Sequence, residues 1–153
     1  MALQRFSATQ IVATDIDTAW RFFSDPRNLA RMTPPWLGLV PTSKVPEEMY
    51  PGLIVTYRVR PAFGVRVEWV TEITHVMEGR LFVDEQRSGP YRFWHHQHHF
   101  RAVDGGVEVK DIVHYRLPLA TIADLVAGNL VRRQLSRIFA YRRRMLANGE
   151  LFR

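Results

Sequence analysis

From Leu53 to Leu117 apolar and polar residues alternate at period two, and beyond Pro118 the period lengthens to that of a helix. In "LIVTYRVR", "VRVEWVTEITHV", "RLFVDEQR", "FWHHQHHFRAV" and "VEVKDIVHYRL" β-branched and aromatic residues recur at alternate positions. Gly52, "PAFG", "MEGR", "SGPY" and "DGG" separate these runs at hairpin-like intervals, which predicts an antiparallel meander. Ahead of it, "RFSATQIVA" alternates as a first strand. "TDIDTAWRFFSDP" then predicts a short helix with Asp15 or Asp17 as N-cap and Trp20 and Phe23 on its buried stripe. Asp25-Pro26 stops that helix and "RNLARM" allows one or two further turns. "TPPWLG" predicts an extended exit, because each proline disfavours helix at the residue before it. Past Pro118, Ile122, Leu125, Val126, Leu130, Val131, Leu135, Ile138, Phe139, Met145 and Leu146 lie along one broad apolar face, which predicts a single helix over residues 120–147.

The order is therefore strand, two short helices, meander, long amphipathic helix. Such a helix must bury its stripe on the sheet. The expected fold is α+β: a curved antiparallel β-sheet wrapped around a long C-terminal α-helix, with two short helices after the first strand. No repeat, low-complexity tract or linker interrupts the pattern. With 153 residues, 46% of them hydrophobic and 12% aromatic, the chain suits one domain over residues 1–153.

Alternation also sorts the polar residues. Trp94, His96, His98 and Phe100 share one strand face, and Phe93, His95, Gln97 and His99 share the other. The same test groups Val107, Val109, Asp111, Val113, Tyr115 and Leu117 inward, with Val65, Val67, Trp69, Thr71 and Ile73 from one run and Phe82, Asp84 and Gln86 from another. Acids and imidazoles thus stand among aromatics on an inward face. Burying them alone is costly, so they should hydrogen-bond each other, bind water or face a cavity. The "FRAVDGGVEV" hairpin brings Asp111 beside the histidine strand, which predicts an Asp111 hydrogen bond to His98 or His96. His95, His99 and His114 fall on the outer face, which leaves a homo-oligomer open.

Composition then removes alternatives. With no cysteine there is no disulfide, thiolate nucleophile or Cys-ligated zinc. GxSxG, a phosphate loop and a dinucleotide fingerprint are absent from the sequence. No apolar run reaches the roughly 20 residues of a transmembrane segment, and the opening residues lack a secretory h-region, so a cytoplasmic location is expected. The net charge of +6 gathers at Arg132, Arg133, Arg137, Arg142, Arg143 and Arg144. These arginines are expected on the solvated face of the last helix, and with no base-reading motif beside them no specific nucleic acid partner is expected. His96-x-His98, with Asp111 or Asp84 as a third ligand, could hold a metal, but H-x-H on a strand without further spacing is a weak signal. The expected assignment is therefore no metal and no cofactor.

"NLARMTPPWLGL", "WVTEITHV", "FVDEQRSGPYRFWHHQHHF" and "VKDIVHYRLPL" resemble segments of the helix-grip SRPBCC superfamily, which includes START-like lipid carriers, Bet v 1 proteins and bacterial polyketide cyclase/dehydrases. The similarity is to a bacterial ligand-binding subgroup, and it falls on Trp69, Phe82, Asp84, Gln86, Gly89, Pro90, Tyr91, Trp94, His96, His98, Phe100, Asp111, Tyr115 and Pro118. The resemblance implies a helix-grip fold and a small hydrophobic or aromatic ligand, lipid- or polyketide-like, held between sheet and C-terminal helix. The candidate binding residues are Trp69, Asp84, Gln86, Trp94, His96, His98, Phe100, Asp111, Tyr115, Val126, Leu130 and Phe139. The alternative is a cyclase, aromatase or dehydratase whose catalytic His96, His98 and Asp111 exchange protons with the same kind of ligand. The sequence leaves carrier and enzyme open.

Overall fold

The computed structural model describes residues 2–61, 64–117, 123–147 and 149–152, with the side chains of residues 123–127 and 150 outside that description. In chain order it contains β1 (Gln4–Val12), α1 (Ile16–Phe23), 3₁₀ segments at Pro26–Met32 and Pro35–Leu37, and β2 (Val40–Pro41). There follow β3 (Ile54–Val59), β4 (Val67–Met77), β5 (Leu81–Ser88), β6 (Phe93–Val103), β7 (Gly106–Arg116), α2 (Ala123–Leu146) and a last 3₁₀ turn, Glu150–Phe152. The strands form one curved antiparallel sheet in the order β1-β7-β6-β5-β4-β3-β2. The meander thus runs β3 to β7, and β1 returns to flank β7. No helix among the described residues is long and apolar enough to cross a membrane.

Local chemistry accounts for the first helix. Asp15, extended at φ −79° and ψ 164°, accepts a 2.8 Å hydrogen bond from the Thr18 amide and is the N-cap. Trp20, Phe22 and Phe23 then turn onto the sheet. "TPPWLG" departs from its expected extended course. Pro34 is extended, as a residue before proline should be, but Pro35 opens a 3₁₀ turn that Gly38 closes in the left-handed region at φ 54°. Proline suits the first position of a helical turn because its missing N–H would have no partner there.

Two sets of contacts hold the sheet against its helices. On the α1 side Trp20, Phe23, Phe82 and Phe100 pack together with Val107 and Val109. On the α2 side Val131, Leu135 and Phe139 pack on Val113, Tyr115 and Leu117. The helix stripe is narrower than expected. Leu130 is 41% exposed, because it lies one residue, about 100° of helical rotation, from the buried Val131. Residues 118–122, where the sequence places the helix start, lie outside the described residues, as do the side chains of Leu125 and Val126.

The β6–β7 turn meets the end of β1 at Gly106, which has φ 148° and stands so close that an added Cβ would lie 2.0 Å from the Val12 carbonyl oxygen. Gly106→Ala therefore meets both an unfavourable backbone conformation and a clash with main chain. It is expected to cost about 3 kcal/mol and to lower the melting temperature by about 6–12 °C. An unchanged thermal melt would contradict this account of the turn.

Candidate functional site

The sheet register assembles the site. Asp84 of β5 stands opposite His96 of β6, and His98 of β6 stands opposite Asp111 of β7, so two carboxylates flank two imidazoles on the inward face. His96, His98 and Asp111 are buried, and Asp84 is half-buried beside them. His96 Nε2–H donates to Asp111 Oδ1 at 2.9 Å, and His98 Nε2–H donates to Asp84 Oδ2 at 2.7 Å. The other two ring nitrogens make longer or poorly directed contacts. His96 Nδ1 lies 3.5 Å from Asp84 Oδ2. His98 Nδ1 lies only 3.0 Å from Asp111 Oδ1 yet has no hydrogen-bond partner, because its angle to that oxygen is wrong; this contact is electrostatic.

Arg142 of α2 completes the group. It is buried, its guanidinium reaches Asp111 Oδ1 at 3.5 Å, and it lies over the Phe139 ring at 4.9 Å. This corrects its expected place on the solvated face of the helix. Among Leu135, Ile138, Phe139 and Leu146 it occupies an apolar-stripe position, three to four residues from its neighbours, and that interruption of the stripe is the signal the sequence carried.

Burial and charge pull these groups in opposite directions. Burial alone would push Asp111 up, but the His96 hydrogen bond, the close His98 ring and the Arg142 charge outweigh it and hold the carboxyl well below the usual range. Asp84 is lowered in the same way, burial being outweighed by the charge of His96, the His98 hydrogen bond and Arg142. Burial lowers His96, and the adjacent His98 lowers it further. Against the same burial, His98 is raised by its contacts with Asp111 and Asp84. A proton is thus held on His98 in preference to His96, and paired opposite charges make the buried group tolerable.

Beside it lies a cavity of about 200 Å³ between β3–β6, the 3₁₀ segments and α2. Trp69, Asp84, Trp94, His96, His98 and Phe139 border it, with Tyr57, Leu37, Thr71, Gln134, Leu135, Ile138 and Arg142, which the sequence reading did not name as site residues. Tyr57 was legible from the alternation of Val55, Tyr57 and Val59; burial and the Asp84 charge push its hydroxyl well up. Other expected site residues stand elsewhere. Asp111 lies behind the histidines. Phe100 is packed under α1 against Trp20, Phe23 and Phe82. Tyr115 belongs to the α2 core. Gln86 clamps the following loop, with Nε2–H donating to the Tyr91 carbonyl at 2.6 Å and Oε1 accepting from the Tyr91 amide at 3.2 Å. Leu130 points to solvent, and the Val126 side chain lies outside the described residues. Val65, expected inward, precedes β4 and is exposed.

On the opposite face a hydrogen-bonded row follows β6. His99 donates to Gln97 Oε1, Gln97 to His95 Nε2, and His95 Nδ1–H to Glu85 Oε1, at 2.8–3.0 Å. As for metals, one ligand atom each from Asp84, His96 and His98 fall within 4.8 Å of one another.

A family model described as polyketide cyclase / dehydrase and lipid transport matches residues 12–139. No curated protein matches the chain in sequence. Among solved structures, protein Ms6760 from Mycobacterium smegmatis is 17% identical over 95% of this chain and 89% of its own, with a TM-score of 0.66. The Zhui aromatase/cyclase from Streptomyces sp. R1128 is 16% identical over 98% and 92%, with a TM-score of 0.64. The di-domain ARO/CYC StfQ from the steffimycin biosynthetic pathway is 16% identical over 96% of this chain and 52% of its own, at 0.68. At such identities the likeness is one of fold.

Proposed function

Since the chain belongs to the polyketide cyclase/dehydrase and lipid transport family, we propose that it binds one small hydrophobic or aromatic ligand in the cavity between sheet and α2, with the ligand's polar end against Asp84, His96, His98 and Arg142. The observation that carries this reading is an apolar-walled space with one ionised edge, the anatomy of a small-molecule site. Its size narrows the ligand. About 200 Å³ compares with the roughly 150 Å³ that accepts benzene, so one or two rings or a short acyl chain fill the space.

Trp69 and Trp94 border the cavity and report on its contents. Titration with 2-naphthol is expected to quench tryptophan fluorescence saturably at one molecule per chain. Ile138→Trp, which fills the cavity from the helix side, is expected to weaken binding tenfold or more, about 1.4 kcal/mol. Equal affinity in the wild type and in Ile138→Trp would place the ligand elsewhere.

The positions of His96 and His98 favour a second reading. Both imidazoles border the cavity with a carboxylate on each, an arrangement suited to proton exchange with a bound carbonyl compound. In a cyclase- or dehydratase-type enzyme His96 and His98 would touch the substrate and Asp111 would position them. Such an enzyme converts a short poly-β-carbonyl thioester into a dehydrated ring, whereas a carrier returns it unchanged; product analysis separates the two.

A further inference from the structure

We propose that Asp84, His96 and His98 form a binding site for one divalent first-row transition-metal ion of the zinc or ferrous-iron kind, open to the cavity, with Asp111 holding both imidazoles from behind. The convergence of both rings carries this assignment. Each histidine turns one nitrogen, His96 Nδ1 or His98 Nε2, to the same Asp84 oxygen, at 3.5 Å and 2.7 Å. Each turns its other nitrogen to the same Asp111 oxygen, at 2.9 Å and 3.0 Å. The rings stand side by side with centroids 3.8 Å apart. A network built only of hydrogen bonds has no need of such convergence.

An ion explains both sets of contacts. Tetrahedral ligands at the usual metal–nitrogen and metal–oxygen lengths stand about 3.3 Å apart; to admit the ion His98 Nε2 must draw back from Asp84 from 2.7 Å and His96 Nδ1 close in from 3.5 Å, with the three ligand atoms already within 4.8 Å of one another. Ligating histidines characteristically donate their second ring N–H to a carboxylate, which fixes the tautomer and raises ligand basicity; Asp111 is that partner for His96 and lies 3.0 Å from His98 Nδ1, off the hydrogen-bond direction. Two nitrogens and one carboxylate oxygen suit zinc, ferrous iron or cobalt better than calcium or magnesium. The charge is also suitable. Asp84, Asp111 and Arg142 sum to one negative charge when both imidazoles are neutral, so a dication leaves one positive charge, and the open positions facing the cavity favour an anionic oxygen.

The site stands independently of the organic ligand, so the metal is titrated into the protein alone, made without a polyhistidine tag and freed of metal by a chelator. Cobalt(II) is expected to give ligand-field absorption bands saturating at one ion per chain, and zinc(II) to displace it. Asp84→Asn, nearly isosteric, is expected to abolish the bands, and Asp111→Asn to weaken binding about 10–100-fold. His99→Gln, in the outer-face row, is expected to change nothing. In the wild type, where no variant can misfold, zinc is expected to move the ¹⁵N resonances of His96 Nδ1 and His98 Nε2 and not those of His95 and His99. Absence of saturable binding, binding retained by folded Asp84→Asn, or resonance shifts confined to His95 and His99 would each overturn the assignment. A protein that binds metal but no naphthol would leave this site intact and remove only the ligand reading.

Discussion

Asp111→Ala is expected to destabilise the protein by about 3–5 kcal/mol, because it removes the carboxylate that His96, His98 and Arg142 all address from within the structure. The side chain is 6% exposed, so water cannot take its place without opening the sheet from the helix. Each kcal/mol corresponds to about 2–4 °C in a domain of this size, so the melting temperature should fall by about 6–20 °C. Arg27 provides the contrast. It is half exposed to solvent, and removing its ion pairs with Asp25 and Glu47 should cost no more than about 1 kcal/mol. Urea unfolding of Asp111→Ala and Arg27→Ala gives the comparison. If Asp111→Ala lost no more than Arg27→Ala, the buried charge group would not be holding the sheet together.

Phe100→Ala is expected to cost about 3–5 kcal/mol as well, for a different reason. Phe100 meets Trp20 edge-on at 5.5 Å, Phe23 at 5.3 Å and Phe82 at 5.9 Å, so truncation empties the centre of the core that joins α1 to the sheet. Phe100→Leu, which keeps most of the volume, should cost less than about 1.5 kcal/mol. Because Phe100 does not border the cavity, Phe100→Leu should leave naphthol affinity unchanged. A tenfold loss of affinity at unchanged stability would return Phe100 to the ligand site, where the sequence pattern had placed it.

Phe100 also illustrates how far the sequence could be read. Alternation put it on the inward face with Trp94, His96 and His98, and that is its face. One face of β6 nevertheless serves two environments: its C-terminal end lies under α1 and its middle borders the cavity. Period two carries no information about position along the strand. β4 shows the complementary limit. Trp69, Thr71 and Ile73 border the cavity, but the register shifts between Ile73 and His75, and Val76 then joins the core in place of the residue that simple alternation would choose.

By itself the sequence left the α1 cap open between Asp15 and Asp17 but determined the order of the main strands and helices and the faces on which Asp84, His96, His98 and Asp111 stand. These follow from turn residues and from a period that acts between near neighbours. Only the tertiary structure decided which imidazole nitrogen meets which carboxylate, that Arg142 leaves the solvated face to join them, and that Phe100, Tyr115 and Gln86 stand away from the cavity. Those outcomes depend on the pairing register of β5, β6 and β7 and on the rotation of α2 against them. The β6–β7 register follows from a local hairpin that the sequence shows; the ring orientations on those strands and the rotation of α2 are set by packing between elements, and local pattern does not encode them.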